Sequence, residues 1–380
     1  SSSAWTLLGV SGAAFQYGLS AIYIFPACLL GFILNGYFLA KPIRVLSFSQ
    51  QSVTMTELLS TDAPSRYKKP ITLLASIIIL LSLSIYVASQ FQAAGKTFEE
   101  ILQIDFFTAV LVGGGIVFLY TVSGGFWAAS ISDLIQGLVM ALAAIIVPFV
   151  ALIEVGGFEK MFQSLVMIDP SLTDFSRGKS GLILVSFIVG TLGIGLGYPG
   201  QPHVINRYMA LRSSKDAKVV ANISVGWALI IYAGMLIAGW CGRVLIETLG
   251  DEEAVLLQLT TDLFPPVASG IIIAAILSAI MSTADSQLLV CASTVSHDIA
   301  GNKGTSVFYH RGAILIISAF AIFAAVKIDK TIFDQVLFAW SALGASFGPL
   351  LLCRVFRGPV NPVSSLLAMF LGFSITLFIL

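Results

Sequence analysis

Charge is what this chain most conspicuously lacks. Only 11% of its 380 residues are Asp, Glu, Lys or Arg, 57% are hydrophobic, and the charges cancel to a formal net of +0 at pH 7. Soluble domains are about a quarter charged, so water is not the solvent for most of this surface. A balanced charge also excludes the basic footprint that nucleic-acid binding requires. Cysteine is scarce and scattered: Cys28, Cys241, Cys291 and Cys353 form no CxxC pair and lie near no histidine cluster, so they read as small buried hydrophobes. His203, His297 and His310 all fall near one membrane boundary. No nucleophile–base–acid set is present, nor the paired acids or Ser and His of an intramembrane protease, so the chain is not read as an enzyme.

What the chain has in abundance is apolar sequence, including 27 Phe. Runs long enough to cross a bilayer recur at roughly 1–15, 19–39, 71–94, 106–126, 130–152, 181–200, 218–246, 264–297, 310–326, 333–355 and 363–380. They predict an all-α polytopic membrane protein embedded in a lipid bilayer; the short alternating strands of a barrel are absent from the pattern. The run 264–297 is too long for one span and predicts a projection into water. The chain opens on Ser1, without Met and already inside an apolar pattern, which predicts a truncated N-terminus and an incomplete first helix.

The loops sort by charge. Those of one parity hold 13 of the 20 basic residues, among them Lys41, Arg44, Arg207 and Arg354, which makes that side cytoplasmic. The other side collects 14 of the 20 acids, as in Asp251, Glu252 and Glu253, and four lie inside. Two remain at membrane depth, Asp133 and Asp285. No Lys or Arg is expected within a span away from its ends.

Two five-helix blocks, 1–152 and 181–355, are followed by an extra helix at 363–380, all in one transporter domain. The first block opens "SSSAWTLLGVSG" and the second contains "GIGLGYPGQP", each mixing Gly or hydroxyls into an apolar run. An odd number of spans per block inverts the second relative to the first, and interrupted helices at corresponding places in inverted repeats point to a transporter's central site. "GLGYPG" also matches a dinucleotide fingerprint, but it follows no strand. Gly193 and Gly197 read as helix packing, and Asn222 as a chance match to a glycosylation acceptor at a cytoplasmic span end.

The stretch "ILSAIMSTADSQLLV" (276–290) places Ser278, Ser282, Asp285 and Ser286 on one helix face, with Thr283 beside them. Hydroxyls bonded back to their own helix explain the serines. They do not explain a carboxylate in a span that holds no Lys or Arg. Oxygen ligands with one acid suit a hard monovalent cation, Na+, better than a divalent one. A proton relay through Asp285 and Asp133 stays open beside it.

Three stretches, "MSTADSQLLV" (281–290), "GYPGQPHVINRYMA" (197–210) and "SGGFWAASISDLIQGLVM" (123–140), resemble the sodium:solute symporter family, and within it most closely the bacterial sodium/proline symporters. The resemblance covers essentially the whole chain. It implies a leucine-transporter-type fold of two inverted five-helix repeats. It implies a first sodium site from the carbonyls of Ser2 and Ala279 and the hydroxyls of Ser282 and Thr283. A second cation site, present in some members, corresponds to Asp133, Ser282, Asp285 and Ser286, with Asp285 departing from the family's hydroxyl there. The substrate positions implied are Ser1, Ser3, Trp5, Thr6, Tyr198, Gln201 and Pro202. Trp340 is read as packing at a small-residue interface, with closure of the external side as its other role.

These readings converge on sodium-coupled import of a small zwitterionic solute, L-proline foremost, across the bacterial inner (plasma) membrane. Other amino acids, pantothenate and short monocarboxylates remain alternative solutes. A transporter-like sensor module of a larger signalling protein keeps the same fold. A channel is disfavoured because the polar groups cluster at two central places and line no continuous pore.

Overall fold

The computed structural model describes residues 2–301 and 307–379, with the side chains of 124–128 and 307 excepted. Lipid offers the backbone no hydrogen bonds, so long apolar runs close their own i→i+4 ladders; no strand forms among the described residues. A π-helical turn at Trp5–Gly9 leads into α1 (Val10–Tyr17), which stops at Gly18 with φ 59° and ψ −141°. A 3₁₀ turn then carries the chain to α2 (Ile24–Ile33), and a π turn at Leu34–Leu39 joins it to α3 (Ala40–Gln50). After α4 (Met55–Ser60) come two long elements, α5 (Ser65–Leu102) and α6 (Phe106–Val155). Asp105 caps α6 by accepting the Thr108 N–H at 3.0 Å, and the Thr108 side chain and N–H together hold its carboxyl below the ordinary value.

The second half runs through α7 (Phe158–Ile168), α8 (Gly181–Gly193), a 3₁₀ segment Ile194–Gly200, α9 (Pro202–Met209) and α10 (Ala217–Leu245). It continues with α11 (Val255–Leu263), α12 (Pro266–Ser293, prolonged by a π turn Thr294–Ile299), α13 (Val307–Lys327), α14 (Ile332–Arg357) and α15 (Pro362–Ile379).

Among the described residues, ten helical stretches are long and apolar enough to cross a membrane. The eleven expected runs differ from this count at the start, where Trp5–Gln50 is one stretch interrupted at Gly18. The runs 106–126 and 130–152 match two of these stretches, Phe106–Ser123 and Ala129–Val155, both within α6. Its axis nonetheless folds back: Tyr120 donates a hydrogen bond to Ser132, and a straight helix would set residues twelve apart at about 18 Å. The long run near 264–297 is indeed one unbroken helical stretch, Pro266–Ile299 of 34 residues. Three of the four cysteines are buried as expected; Cys353 is exposed.

Close approach of backbones sets the packing around the break in the second half. A Cβ on Gly195 would stand 2.0 Å from the Ala27 carbonyl oxygen, and one on Gly200 would stand 2.3 Å from that of Leu343, so the 3₁₀ segment lies directly on α2 and α14. Gly195→Ala is therefore expected to destabilise the protein by at least the ~1–3 kcal/mol of ordinary overpacking, because the obstacle is backbone; a lowered melting temperature in detergent measures it.

Candidate functional site

Three side chains from distant helices, Gln90 and Thr283 buried and Trp227 half-buried, hold the start of the chain. The Ala4 N–H donates to Gln90 Oε1 (3.0 Å) on α5, Trp227 Nε1 on α10 donates to Ser2 Oγ (2.7 Å), and Thr283 Oγ1 on α12 donates to the Ser2 carbonyl (3.2 Å). Helix formation begins one residue later, with the Thr6 N–H on the Ser3 carbonyl at 2.9 Å.

The matching break in the second half follows from Pro202. The residue before a proline is driven out of helical geometry, and Gln201 sits at φ −82°, ψ 108°. Pro202 then opens α9 at the position where its missing N–H costs nothing. The Gln201 carbonyl accepts from Val204 (3.1 Å) and Ile205 (3.0 Å), its side-chain Nε2 donates to the Gly197 carbonyl (3.1 Å), and Asn35 Nδ2 donates to the Tyr198 carbonyl (3.0 Å).

The four residues of the expected first cation site come together where the chain start meets α12. Thr283 reaches Ser2 as above, and Ser282 Oγ donates to the Ala279 carbonyl at 3.1 Å. All four are buried, and the donor set is oxygen only. Each hydroxyl has its proton on a carbonyl, which leaves its lone pairs free, so the set fits a hard monovalent cation.

The residues of the second expected site lie deeper towards the cytoplasm, and here the structure adds a group that the charge census did not place. Arg207, on α9, forms an ion pair with Asp133, and the same Nη2 donates to Ser286 Oγ at 2.6 Å. Ser286 passes its own proton to the Ser282 carbonyl at 2.8 Å. Asp285 is within electrostatic reach of Asp133 and Arg207. Asp133 Oδ1 and Asp285 Oδ1 are both buried without a hydrogen-bond partner. The census treated arginines at span ends as loop residues; a guanidinium is long enough to reach back to membrane depth.

A cavity of about 440 Å³ lies between the two broken helices. Ser2, Ser3, Thr6, Tyr198 and Gln201 line it, and it continues past Ser130 and Arg207 to Ala210 and Leu211. Trp5 and Pro202 do not line it, and Ser1 lies outside the described residues. Five lining atoms are buried without a hydrogen-bond partner: Ser3 Oγ, Asn35 Oδ1, Gln201 Oε1, His203 Nδ1 and Trp340 Nε1. Phe32, Asn35, Tyr86, His203 and Tyr232 are lining residues that sequence reasoning missed. Only Asn35, a lone amide within an apolar run, carried a signal there.

On the opposite side aromatic rings close the way. Trp5 stacks on Phe333 and packs against Trp340, each at 5.4 Å between centroids, and Trp340 meets Tyr198 edge-on at 4.5 Å. Trp340 thus belongs to the seal and the cavity wall alike.

Broken helices facing one cavity, with a buried oxygen seam beside it and a seal on one side only, define a secondary transporter. The sequence matches the sodium:solute symporter family over residues 1–372, and the chain belongs to that family. It is 34% identical to a high-affinity proline transporter of Bacillus subtilis, over 97% of this chain and 80% of the relative. It is 32% identical to an osmoregulated proline transporter of the same organism (97% and 77%) and 30% identical to sodium/proline symporter 2 of Staphylococcus saprophyticus (97% and 74%). Among solved structures, a Na+-coupled sialic acid symporter in a substrate-bound outward-open state superposes with a TM-score of 0.74 at 18% identity, covering 100% of this chain and 87% of that one. The fold is the leucine-transporter type, and the protein is a sodium-coupled carrier, not an enzyme.

Proposed function

We propose that this chain imports L-proline together with sodium across the bacterial plasma (inner) membrane by alternating access. The observation that carries the reading is the set of unpartnered atoms in the cavity. Asn35 Oδ1 and Gln201 Oε1 are acceptors, which suit a secondary ammonium; Trp340 Nε1 and Ser3 Oγ can donate, which suits a carboxylate. Phe32, Tyr198 and Trp340 supply apolar walls for a ring. Relatives carrying proline transport in their names support the same solute.

Residues 1–152 and 181–355 form the two inverted repeats of this reading, with 363–380 appended. The first sodium ion binds at Ser2, Ala279, Ser282 and Thr283, and a second cation at Asp133, Ser282, Asp285 and Ser286. Solute contacts come from Ser3, Thr6, Tyr198 and Gln201 in the cavity, with Ser1, Trp5 and Pro202 completing the proposed set. A cavity open towards Leu211 and closed at Trp5 corresponds to an inward-facing state. Sodium raises solute affinity because both ligands favour one arrangement of the broken helices, and the coupling is reciprocal.

Uptake of labelled proline into proteoliposomes, with and without an inward sodium gradient, tests the proposal. Gradient-dependent accumulation supports it; equal uptake under both conditions rules it out. Gln201→Leu is expected to raise the half-saturating proline concentration by roughly 3–10-fold, the worth of one hydrogen bond, with sodium dependence little changed. Equal loss of affinity for both ligands would show that the side chain serves only the helix break.

A further inference from the structure

Arg207 stands where a second cation would stand. Its Nη2 bridges Asp133 and Ser286, two of the four residues proposed above for that ion. It also lines both the solute cavity and a second cavity of about 490 Å³, bounded by Ser286, Ser293 and His297, that lies on its cytoplasmic side. The guanidinium is therefore at the junction between the site and the exit. Its own helix, α9, begins immediately after Gln201 at the helix break.

The charge count makes the arrangement selective. Arg207 already pairs with Asp133, and Asp285 stands near both, so the pocket holds a fixed positive charge before any ion enters. Ser286 donates its hydroxyl to the Ser282 carbonyl and accepts from Arg207, so the lone pair turned to the guanidinium is not free for an ion. A sodium ion and a guanidinium on one carboxylate and one hydroxyl would also repel across a few ångströms of poorly solvated space.

We infer that Arg207 is a tethered counter-cation that competes with sodium for Asp133 and Ser286, holding them in the inward-facing state and yielding them when the ion arrives. The inference rests on the proposed second cation site. Its consequence is mechanistic: as the inner path opens, the guanidinium takes over the ligands of the departing ion, so no bare carboxylate is left behind at membrane depth. Because α9 carries both Arg207 and the chain break, the exchange of cations moves the same helix that contacts the solute.

The test is direct sodium binding to the purified chain in detergent, followed by sodium-dependent melting temperature and by tryptophan fluorescence, since Trp227 touches Ser2. Arg207→Gln is expected to lower the half-saturating sodium concentration about tenfold, the worth of one charge-assisted contact. Arg207→Lys keeps a charge for Asp133 without the planar fork and should shift it less, in the same direction. That variant decides the question if the glutamine variant does not fold. Introducing Arg207→Gln into an Asp133→Asn background should produce no further gain. Unchanged or weakened sodium binding in both arginine variants overturns the inference. If Asp133→Asn leaves sodium binding as in the parent while Thr283→Ala weakens it, the second site itself is wrong and the inference falls with it.

Discussion

Thr283→Ala is expected to raise the sodium concentration for half-maximal uptake by about 10- to 100-fold. The hydroxyl is nearly inaccessible, points at the Ser2 carbonyl 3.2 Å away, and is the one side-chain hydrogen bond linking α12 to the chain start among the described residues. A contact to a charged group is worth about 1.5–3 kcal/mol, and each 1.4 kcal/mol is about tenfold in affinity. The alanine variant loses the proposed ion ligand and also the hydrogen bond that holds the broken segment carrying Ser2 and Ser3. Thr283→Ser keeps the oxygen and should stay within a few-fold of the parent. A sodium titration of proline uptake on both variants measures the effect. If alanine and serine variants both titrate like the parent, sodium binds elsewhere.

Much of this architecture was legible in the sequence because the membrane makes the rules strict. A span must be long, apolar and helical, so the segments of α10, α13 and α14 follow from length alone. The break at Gln201 was equally legible, since Pro202 dictates it. The gap between the expected runs 1–15 and 19–39 falls at Gly18, which the structure holds at φ 59°. The oxygen stripe on α12 was visible as a helical period, and Thr283 beside it reaches the Ser2 carbonyl.

What escaped were contacts between segments far apart in the chain. Gln90 and Trp227 read as ordinary residues of apolar helices until Ala4 and Ser2 are seen beside them. Arg207 sat in the cytoplasmic tally, where its charge supported the topology, and nothing in one-dimensional sequence says which carboxylate a flexible four-bond arm will find. Its partner Asp133, 74 residues earlier, stood in the sequence beside Asp285, with a cation or a proton as what the two acids would share. Glu253 stood among the external acids, where nothing in the count showed that its side chain is buried, only 4% exposed.

That burial gives Glu253 the other large expected effect. Its carboxylate accepts the N–H groups of Ile332 (3.0 Å) and Phe333 (2.8 Å) at the start of α14, where the helix dipole favours an anion. It also pairs with Lys96 of α5 at 2.7 Å, and Lys96 has a second partner in Asp251 at 2.6 Å. The first span approaches the same loop, because a Cβ on Gly12 would lie 3.0 Å from the Glu253 Cα. One carboxylate thus fastens α5, α14 and the external loop over α1, and the residue it positions, Phe333, is the ring stacked on Trp5 in the seal. Removing one partner of a buried pair costs about 3–5 kcal/mol; Glu253→Ala should fall near the lower end, since Asp251 still serves Lys96. The same loss biases the carrier towards an open external face. A membrane-impermeant thiol reagent applied to whole cells should then label Thr6→Cys in the Glu253→Ala background and spare it in the parent. The native thiols do not confuse the readout: Cys28, Cys241 and Cys291 are buried, and Cys353 lies at the cytoplasmic end of α14. Glu253→Gln keeps an acceptor for α14 but loses the pairing with Lys96, so its labelling and melting temperature should fall between parent and alanine. Unchanged melting and no labelling in Glu253→Ala would mean that the aromatic stack alone holds the external face shut.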